Sequence, residues 1–551
     1  MEKKLPSKNK LRGGYYTPIK IADFLTAWAL DGITKDSSIL EPSMGDGVFV
    51  SAVINNLEGK KFPNKSVEKM IYGIELFKEE TRKAKKSIDE RGYKSANFNL
   101  RTGDFFEFVK NSSEINRFDV VLGNPPFIRY QNFPRKQRDI AEKILSKNEI
   151  HLNKLTNAWA FFLLVSVLLL KENGKIAMVL PAELLQVGYA SKIRIFLSKI
   201  FHSVTIVTFK KLTFKDIQQE VILLMGDKSK QGPGGINIIE LSSLDDLSLG
   251  NIKSATRFKP IDHDTDKWTQ YFLSDAEILL LRKLKESNKL CRLGELIEVD
   301  VGIVTGNNDY FAVSEEIVKK YNLENYVVPL VGRTAYINGN LVFTVDNWEK
   351  LRREGKTCYL FSYDKKVEVD TPKMVRKYLD HGIEMKVQLG YKCRIRKMWH
   401  SVPSTWIPDA FLSRQIHLYP KLILNKAQVV PTDTIHRVRF KKNIDPRKMQ
   451  VLFHNSLTFA YSEILGRSYG GGVLELEPSE AENLLVPSPE FININLSQAK
   501  ELFPNKDLDG VLDKIDKVIL HEGLGLTIND IKLLKSAWTK LSERRRARKL
   551  K

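Results

Sequence analysis

The chain has 551 residues, a length that suits two or three domains rather than one. Hydrophobic residues make up 42% of it and aromatic residues 10%, a composition that excludes an intrinsically disordered protein. Its 87 Lys and Arg against 66 Asp and Glu give a formal charge of +21, which favours a polyanionic partner, although a soluble protein with a lysine-rich surface explains the charge equally well.

Cysteine usage and hydropathy predict a cytoplasmic protein. Cys291, Cys358 and Cys393 are widely spaced and odd in number, and they form neither a CxxC pair nor a metal-ligand pattern. The polar and basic N-terminus lacks the apolar core of a signal peptide. The longest apolar run, residues 158–170, is too short to cross a bilayer, so we expect a buried helix there and no membrane association.

Helix-like and strand-like segments alternate from about residue 11 to residue 227, the pattern of a doubly wound α/β domain. Helical periodicity predicts helices over residues 18–30, 48–57, 78–91 and 156–171. Short apolar runs predict buried strands over residues 38–40, 70–75, 118–123, 175–180, 204–209 and 221–225. Because ligands bind beyond the carboxyl ends of parallel strands, we expect the chemistry at the turns that follow the first four.

Acidic residues and glycines follow the early strands. The first strand leads to Glu41 and then to Gly45 and Gly47, which would let backbone approach a ligand, although the spacing is not GxGxxG and no Walker lysine follows. Glu75 ends the next strand, where it would accept hydrogen bonds from ribose hydroxyls. Asp104, beside an aromatic residue, suits an adenine. Taken singly, each acid is better explained as a solvated loop residue, but their succession favours a ligand site.

The strand over residues 118–123 runs into Asn124-Pro125-Pro126-Phe127, and the two prolines fix φ and donate no backbone N–H. The Asn124 side-chain oxygen and the Pro125 carbonyl would each accept one N–H of a planar exocyclic amine. Its lone pair would then be free to attack a methyl sulfonium, while Phe127 stacks on the ring. By itself the segment is better explained as a strand end with a capped turn. The acidic and glycine-containing segments before it favour the binding of an amine instead.

In this order the segments resemble those of the gamma class of S-adenosylmethionine-dependent amino-methyltransferases of DNA. The resemblance covers roughly residues 12–227 and also includes the N-terminal run Gly14-Tyr15-Tyr16-Thr17-Pro18. It implies a Rossmann-like methyltransferase domain that uses S-adenosylmethionine without a metal. The implied reaction is methylation of the 6-amino group of an adenine that has been rotated out of duplex DNA.

The resemblance implies a role for each matching residue. Thr17 and Ser43 would contact the methionine part of the cofactor, with Glu41 near its amino group. The ribose would be bound by Glu75, and the adenine by Asp104 and Phe105. The full predicted cofactor site consists of Tyr16, Thr17, Glu41, Ser43, Gly45, Glu75, Asp104, Phe105 and Asn124.

The implied catalytic residues are Asn124, Pro125 and Phe127, which would carry the target base. Phe127 stands where tyrosine is commoner in the family, a change that keeps the stacking and loses a hydroxyl. The segment around Phe214 is the best match to a weak family motif in which an aromatic residue clamps the base from its other face.

A Gly-rich polar stretch at residues 228–235 predicts a linker or surface loop. We therefore expect a catalytic domain over residues 1–235, a mixed α+β domain over 236–505 and a helical basic segment over 506–551. Within the second domain, strand-like pieces occur at residues 301–305, 341–345 and 422–425.

Basic and aromatic residues interleave over residues 391–400, where Arg394, Arg396 and Lys397 would contact phosphates or base edges. A solvated basic surface with Trp399 in the core has nearly equal weight. In the family, a second domain of this kind recognises the DNA sequence beside the flipped base. The basic C-terminus would either follow phosphates or be a frayed helix end.

Three other functions fit part of the sequence. The same fold and turn would methylate RNA or a protein glutamine, although such enzymes usually carry their extra domain before the cofactor motif. A non-catalytic DNA-binding specificity subunit is a second alternative, against which the intact acids argue, and a fused restriction enzyme is a third. We expect a monomeric, nucleoid-associated protein of a bacterium or archaeon that binds duplex DNA and has a separately encoded restriction endonuclease as its partner.

Overall fold

A computed structural model describes residues 16–110, 116–210, 220–261, 263, 267–337, 341–469, 471–492 and 511–547. The chain divides into two compact units, the first comprising Met1–Ser274 with Ala547–Lys551 and the second Asp275–Arg546. None of the helices within these ranges has the length and apolar character needed to cross a bilayer.

The first unit is built on an eight-stranded sheet in the order β3-β2-β1-β4-β5-β7-β6-β8. Its strands are β1 (Ile39–Glu41), β2 (Ile71–Glu75), β3 (Asn99–Thr102), β4 (Phe118–Gly123), β5 (Leu170–Pro181), β6 (Ser203–Phe209), β7 (Val221–Asp227) and β8 (Gly235–Leu241). Neighbouring strands are parallel, except that β7 runs antiparallel to both β5 and β6. The doubly wound α/β domain with all six predicted strands is thus confirmed.

Two strands of this sheet were not predicted. β3 has the sequence Asn-Leu-Arg-Thr, in which Leu100 alone is buried, so it presents no apolar run. β8 begins at the last residue of the Gly-rich stretch and pairs in parallel with β6 over seven residues. The predicted boundary between residues 235 and 236 is therefore wrong, because the segment after it completes the first unit, which extends to Ser274.

Helices cover both faces of the sheet. They are α1 (Ile19–Ala29), α2 (Val48–Gly59), α3 (Asn64–Met70), α4 (Lys78–Asp89), α5 (Phe105–Lys110), α6 (Arg135–Ser146), α7 (Ala158–Leu169), α8 (Glu183–Gln186), α9 (Ser191–Ile200) and α10 (Leu249–Ala255). The core cluster that contains α1 to α4 lies on one face, and α5, α6 and α7 pack together. α7, the apolar run of residues 158–170, is buried along almost its whole length, as predicted.

The topology places a cleft at one edge of the sheet. β1 lies between β2 and β4, so the chain leaves β1 toward one side and returns on the other. At such a switch point the connections after the two strands diverge and leave space beyond their carboxyl ends. Glu41, Glu75 and Gly123 end β1, β2 and β4 at this edge.

The second unit combines several small sheets with short helices. Its strands are β9 (Leu290–Arg292), β10 (Ile297–Val301), β11 (Ala312–Val313), β12 (Val327–Val331), β13 (Val342–Phe343), β14 (Tyr359–Phe361), β15 (Ala410–Ser413), β16 (Gln415–Ile416), β17 (Leu422–Asn425), β18 (Val430–Pro431), β19 (Ile435–Phe440), β20 (Arg467–Tyr469), β21 (Val473–Glu475) and β22 (Leu485–Pro487). The sheets are β10-β19-β15-β17-β13, β11-β14-β12-β18, β16-β21-β20 and β22-β9.

The helices of this unit are α11 (Asp275–Lys285), α12 (Leu293–Leu296), α13 (Asn308–Phe311), α14 (Glu315–Tyr321), α15 (Val345–Arg353), α16 (Lys373–Glu384), α17 (Tyr391–Arg394), α18 (Pro446–Phe453), α19 (Ser456–Leu465), α20 (Pro478–Glu482), α21 (Leu512–Asp516) and α22 (Ile528–Arg546). A π-helical stretch, Lys517–Gly523, follows α21 directly. The unit is a mixed α+β structure, as predicted.

The strand predictions for this unit have different outcomes. Residues 422–425 form β17, as predicted. The prediction for 301–305 is wrong in position, since β10 covers Ile297–Val301 and Ile303 makes an isolated bridge only. The prediction for 341–345 is too long, because Thr344 accepts a hydrogen bond from the Asn347 amide and so starts α15.

The C-terminal helix belongs to the second unit rather than to a segment of its own. α22 packs against α19, and Arg545 lies buried with its guanidinium bonded to both oxygens of Glu463, at 2.6 and 3.0 Å. Arg545 also donates to three backbone carbonyls. The separate basic segment over 506–551 and the frayed end are therefore wrong for the described residues, because a buried ion pair ties the last turns to the core.

Candidate active site

A cavity of about 310 Å³ lies at the carboxyl ends of β1 to β4. Seven of the nine predicted cofactor-binding residues line it, namely Tyr16, Ser43, Gly45, Glu75, Asp104, Phe105 and Asn124. Tyr16 comes from the segment before α1 and the other six from the ends of four strands, and it is the parallel sheet that brings these four strand ends to one edge. The other two, Thr17 and Glu41, are buried behind the cavity and are not among the described residues that line it.

The turn from β1 into α2 brings backbone close to the cavity. Gly45 has a φ of +54°, and a Cβ atom there would meet open space, so its surface faces the cavity. Gly47 has a φ of +87°, and a Cβ atom there would come within 2.8 Å of the Ala84 Cβ atom on α4. Both glycines occupy left-handed backbone, and at Gly47 the close packing of α4 also leaves no room for a side chain.

The Glu75 carboxylate is held by backbone amides. Gly45 N donates to its Oε2 and Phe77 N to its Oε1, each at 2.9 Å. Burial raises the pKa of Glu75, and these two amides oppose that shift. A fixed carboxylate with further lone pairs on the cavity wall is an acceptor for a pair of neighbouring hydroxyls, as on a ribose.

Glu41 is a buried carboxyl just behind the cavity, with 3% of its surface exposed. Burial raises its pKa well above the ordinary range, and the negative charges of Asp46 and Glu75 add to that effect. Its Oε2 has no hydrogen-bond partner among the residues that the structure describes. A buried acceptor without a donor is costly, so the site is built for a cationic or N–H-bearing group.

Asn124 connects the cofactor side of the cavity with the turn after β4. Its Nδ2 donates to the Thr17 hydroxyl at 3.1 Å, and its backbone carbonyl accepts from the Ser43 hydroxyl at 3.3 Å. With Nδ2 bonded to Thr17, the Oδ1 acceptor points the other way. Thr17 thus orients Asn124, a contact that the sequence did not indicate.

Tyr16 lies at the rim of the cavity, with 58% of its surface exposed. Its hydroxyl donates to the Glu80 carboxylate at 3.4 Å and accepts from the Lys83 ammonium at 3.3 Å. The salt bridge between Lys83 and Glu80, at 2.8 Å, completes this exposed cluster. Tyr16 is therefore attached to α4 at one side of the opening.

Asp104 and Phe105 form the floor of the cavity. Asp104 accepts from the Glu107 amide at 2.9 Å, which caps α5, and from the Gln137 side chain. The Phe105 ring is buried and stacks on Phe162, with centroids 5.3 Å apart and an interplanar angle of 17°. One face of the ring is thus already covered by the protein, and a ligand would contact the part of Phe105 that borders the cavity.

Sequence reasoning missed several apolar wall residues, including Leu76, Ile128, Phe133 and Phe162. Leu76 has 47% of its surface exposed and directly follows the acid that ends β2. That position, an apolar residue after a ribose-type acid, is the one signal that could have identified it. The others come from later segments and reach the cavity through folding alone.

The turn after β4 places its residues in different environments. Pro125 is buried, whereas Pro126 lines the cavity. The Phe127 ring is half-buried and packs against the apolar core of the first unit, rather than on the cavity wall as the described residues define it. Its contact with a base stays a prediction, and Phe214 lies outside the described residues.

The predicted DNA-binding residues of the second unit differ in their availability. Arg394 and Lys397 are exposed. Arg396 is half-buried, donates to the Val304 carbonyl at 2.7 Å and lies 5.7 Å from the centre of the Phe311 ring. Trp399 packs against the core, as expected if the segment is a solvated basic surface rather than a binding site. Arg396 is therefore held by the protein itself.

A second basic and aromatic cluster was not anticipated. The guanidinium groups of Arg437 and Arg439 lie 4.5 and 4.6 Å from the centre of the Trp406 ring. Arg437 is buried and bonded to Asp300, whereas Arg439 is exposed. The two arginines are two residues apart on β19, so they share one face of the strand. They lie about 30 residues after Trp406, so no local pattern in the sequence indicates the contact.

Two family models match the chain. Residues 1–316 match the model described as N-6 DNA Methylase, and residues 265–520 match that of the C-terminal domain of Type II methyltransferase M.Eco57I. Type II methyltransferase M.AccI of Acinetobacter calcoaceticus is 23% identical over 531 residues, which is 92% of each chain. Type II methyltransferase M.HindII of Haemophilus influenzae is 25% identical over 357 residues, covering 58% of this chain and 59% of that protein.

Solved structures show the same fold. The Type IIL restriction-modification enzyme MmeI, in complex with DNA, aligns with a TM-score of 0.54 at 13% identity, covering 96% of this chain and 75% of that one. A DrdV–DNA complex aligns with a TM-score of 0.50 at 13% identity, covering 83% and 54%. At these identities the likeness establishes the architecture and leaves the chemistry to the site.

Proposed function

Since this chain belongs to the N-6 DNA methylase family, we propose that its first unit methylates the 6-amino group of one adenine within a specific sequence of duplex DNA. The methyl donor is S-adenosylmethionine, and the protein is the methyltransferase of a restriction–modification system. One observation carries the residue-level proposal: Glu75 and Asn124 line a single cavity at the switch point of the sheet, and Glu41 is buried just behind its wall.

The residues around the cavity match the chemical groups of the cofactor. S-adenosylmethionine supplies a methyl group activated on a sulfonium. The Glu41 carboxyl would hold the methionine ammonium, which gives its buried oxygen the donor that it lacks among the described residues. Glu75 would bind the ribose hydroxyls, and Leu76 with the floor formed by Asp104 and Phe105 would hold the adenine. Gly45 leaves room for the part of the cofactor that joins the methionine ammonium to the ribose.

The turn after β4 would activate the target amine. The Oδ1 atom of Asn124 and the Pro125 carbonyl would each accept one N–H, which favours a nitrogen whose lone pair is not delocalised into the ring. Thr17 keeps the Asn124 amide in the orientation that this requires. Phe127, and Phe214 from the other face, would stack on the base and offset the cost of about a few kcal/mol for rotating it out of the duplex.

The second unit would recognise the DNA sequence. Arg394 and Lys397 would contact phosphates, as would other residues that contribute to the +21 charge of the chain. Arg396, which the protein itself holds, would act by fixing that segment rather than by reading a base. We further propose that the protein acts as a monomer and that a separately encoded endonuclease cleaves the unmethylated sequence.

A cavity lined by Glu75 and Asn124, with Glu41 buried behind its wall, argues for a catalytic subunit over a non-catalytic specificity subunit. The test is to incubate the purified full-length protein with methyl-labelled S-adenosylmethionine and duplex DNA, RNA and protein in parallel, and to map modified bases by long-read sequencing. We expect N6-methyladenine at one short sequence in the DNA. Label that enters only RNA or protein would contradict the proposal.

A further inference from the structure

Asn157 is the residue that precedes α7, a position at which asparagine usually caps a helix. Within the described residues its side chain makes no capping bond, and its Oδ1 instead accepts from the backbone amide of Tyr130 at 2.9 Å. The next residue, Ala158, donates its own amide to the Ile128 carbonyl at 3.0 Å. The start of α7 therefore fixes two points of the loop that leaves the candidate active site.

The other end of the Asn157 amide is fixed as well. Its Nδ2 donates to Glu183 Oε2 and to the Tyr189 hydroxyl, both at 3.0 Å, and that hydroxyl donates to the same carboxylate oxygen at 2.5 Å. Burial and the Glu183 carboxylate raise the pKa of Tyr189, so its hydroxyl stays protonated and remains a donor. We call Asn157, Glu183 and Tyr189 the Asn157 network.

The Asn157 network leaves its amide one orientation. Both N–H groups of Nδ2 have acceptors, so the carbonyl end must face Tyr130. Glu183 begins α8, directly after β5, and β5 is the strand that pairs with β4. The support for the loop therefore comes from the strand next to the one that carries Asn124.

Residues 124–127 are the segment that this arrangement controls. On one side Gly123 is the last residue of β4 and is paired with Met178 of β5. On the other side Ile128 is bonded to Ala158, and Tyr130 to Asn157. Two of the four residues between these points are prolines with fixed φ. A shift at residues 128–130 is thus transmitted to the acceptors of the amine, since little freedom remains between them.

We propose that Asn157 is a positioning residue for the methyl transfer, which holds the amine-binding segment in place through Tyr130 while Glu183 and Tyr189 hold Asn157. This inference rests on the proposed function, because it assigns Asn124 and Pro125 as the amine acceptors. The network acts through the loop and has no contact role of its own with the cofactor. It accordingly affects the transfer step and leaves the affinity for the cofactor unchanged.

The experiment compares the full-length protein with Asn157→Ala, Tyr189→Phe and the double variant. The rate of methyl transfer in a single turnover is measured on a duplex that carries the mapped target sequence. The dissociation constant of S-adenosylhomocysteine is measured in parallel. We expect Asn157→Ala to lower the rate by about 10²-fold, the order expected for a misplacement near 1 Å, with an unchanged dissociation constant. Tyr189→Phe should lower it about fivefold, the equivalent of one neutral hydrogen bond.

The double variant distinguishes positioning from general destabilisation. If Tyr189 acts through Asn157, the double variant is no slower than Asn157→Ala, whereas two independent effects would multiply. Asp119→Ala is the matched control. Asp119 bonds Ser38 and Lys171 at the amino end of β4, the strand that leads to Asn124. This substitution should lower the melting temperature and leave the rate unchanged.

Three results would overturn the inference: an unchanged rate in Asn157→Ala, a parallel loss of rate and cofactor affinity, or multiplicative losses in the double variant. Should Asn157→Ala not fold, a normal rate in Tyr189→Phe overturns it too. The wild-type protein in the same assay tests the proposed function separately. If it methylates a different amine, the proposed function fails, while the ratios of variant to wild type on that amine still decide the role of Asn157.

Discussion

Asn124 lines the cofactor cavity and would also accept a hydrogen bond from the target amine. Asn124→Ala removes the side-chain acceptor and the bond to Thr17, while the backbone carbonyl that Ser43 contacts remains. We expect methyl transfer to fall by about 10²- to 10³-fold, as for the loss of one preorganised group that acts in the transition state. S-adenosylhomocysteine should bind within a few-fold of wild type by calorimetry. Unchanged transfer would remove Asn124 from the mechanism.

Glu41 makes cofactor binding depend on pH. Burial, with Asp46 and Glu75 nearby, raises its pKa, so the carboxyl holds its proton to higher pH than an exposed glutamate would. A cationic ammonium favours the carboxylate form, so cofactor affinity should rise as the pH rises through the raised pKa. Calorimetric titrations with S-adenosylhomocysteine from pH 5.5 to 8.5 would measure this. Glu41→Gln should bind weakly at every pH, and an equally steep pH profile in that variant would contradict the assignment.

The same carboxyl has the opposite effect on the cofactor-free fold. A raised pKa means that the folded state binds the proton more tightly, so this contribution to stability is present at low pH. It is lost as the pH rises from the ordinary carboxyl range through the raised pKa. Glu41→Gln should therefore unfold at a higher temperature than wild type at pH 8 without cofactor. Thermal melts at pH 5 and pH 8 would show this difference shrinking at the lower pH.

At the scale of elements, α22 shows how a basic stretch becomes part of a core. Arg545→Ala would leave the buried Glu463 carboxylate without its partner, a change that costs about 3–5 kcal/mol in the free energy of unfolding. Urea denaturation would measure it. Arg546→Ala is the matched control, because the next arginine is exposed and its removal should cost little. Equal effects of the two substitutions would argue against a structural role for this helix end.

Elements with a regular apolar pattern were predicted well, and those without one were missed. β4 and α7 are buried along nearly their whole length, so their composition alone identified them. β3 is a polar edge strand, and β8 follows a Gly-rich stretch that resembles a linker. Both are strands because a neighbour offers hydrogen bonds to their backbone, and a partner distant in sequence leaves no mark on the local pattern.

At the scale of the whole molecule, the residues that make up the charge of +21 are of two kinds, those exposed to a partner and those bonded within the protein. Arg394→Ala and Lys397→Ala should each weaken DNA binding for all sequences and lower the slope of log K against log salt by about one. Arg396→Ala should instead lower the melting temperature, because its guanidinium holds the Val304 carbonyl. Binding measured by fluorescence anisotropy at several salt concentrations would test this. A salt slope unchanged in Arg394→Ala would exclude that residue from the interface.

The sequence by itself determined the doubly wound fold and the residues at the ends of β1, β2 and β4, because strand patterns and turn residues are local properties and parallel strands must end at one edge. Only the tertiary structure decided that Glu41 is buried, that Phe127 packs on the core and that Arg545 is paired inside the second unit. It also decided that Asn157, the residue before α7, reaches Tyr130. Burial and pairing depend on residues distant in the chain, and their consequences for charge and position appear only once the chain has folded.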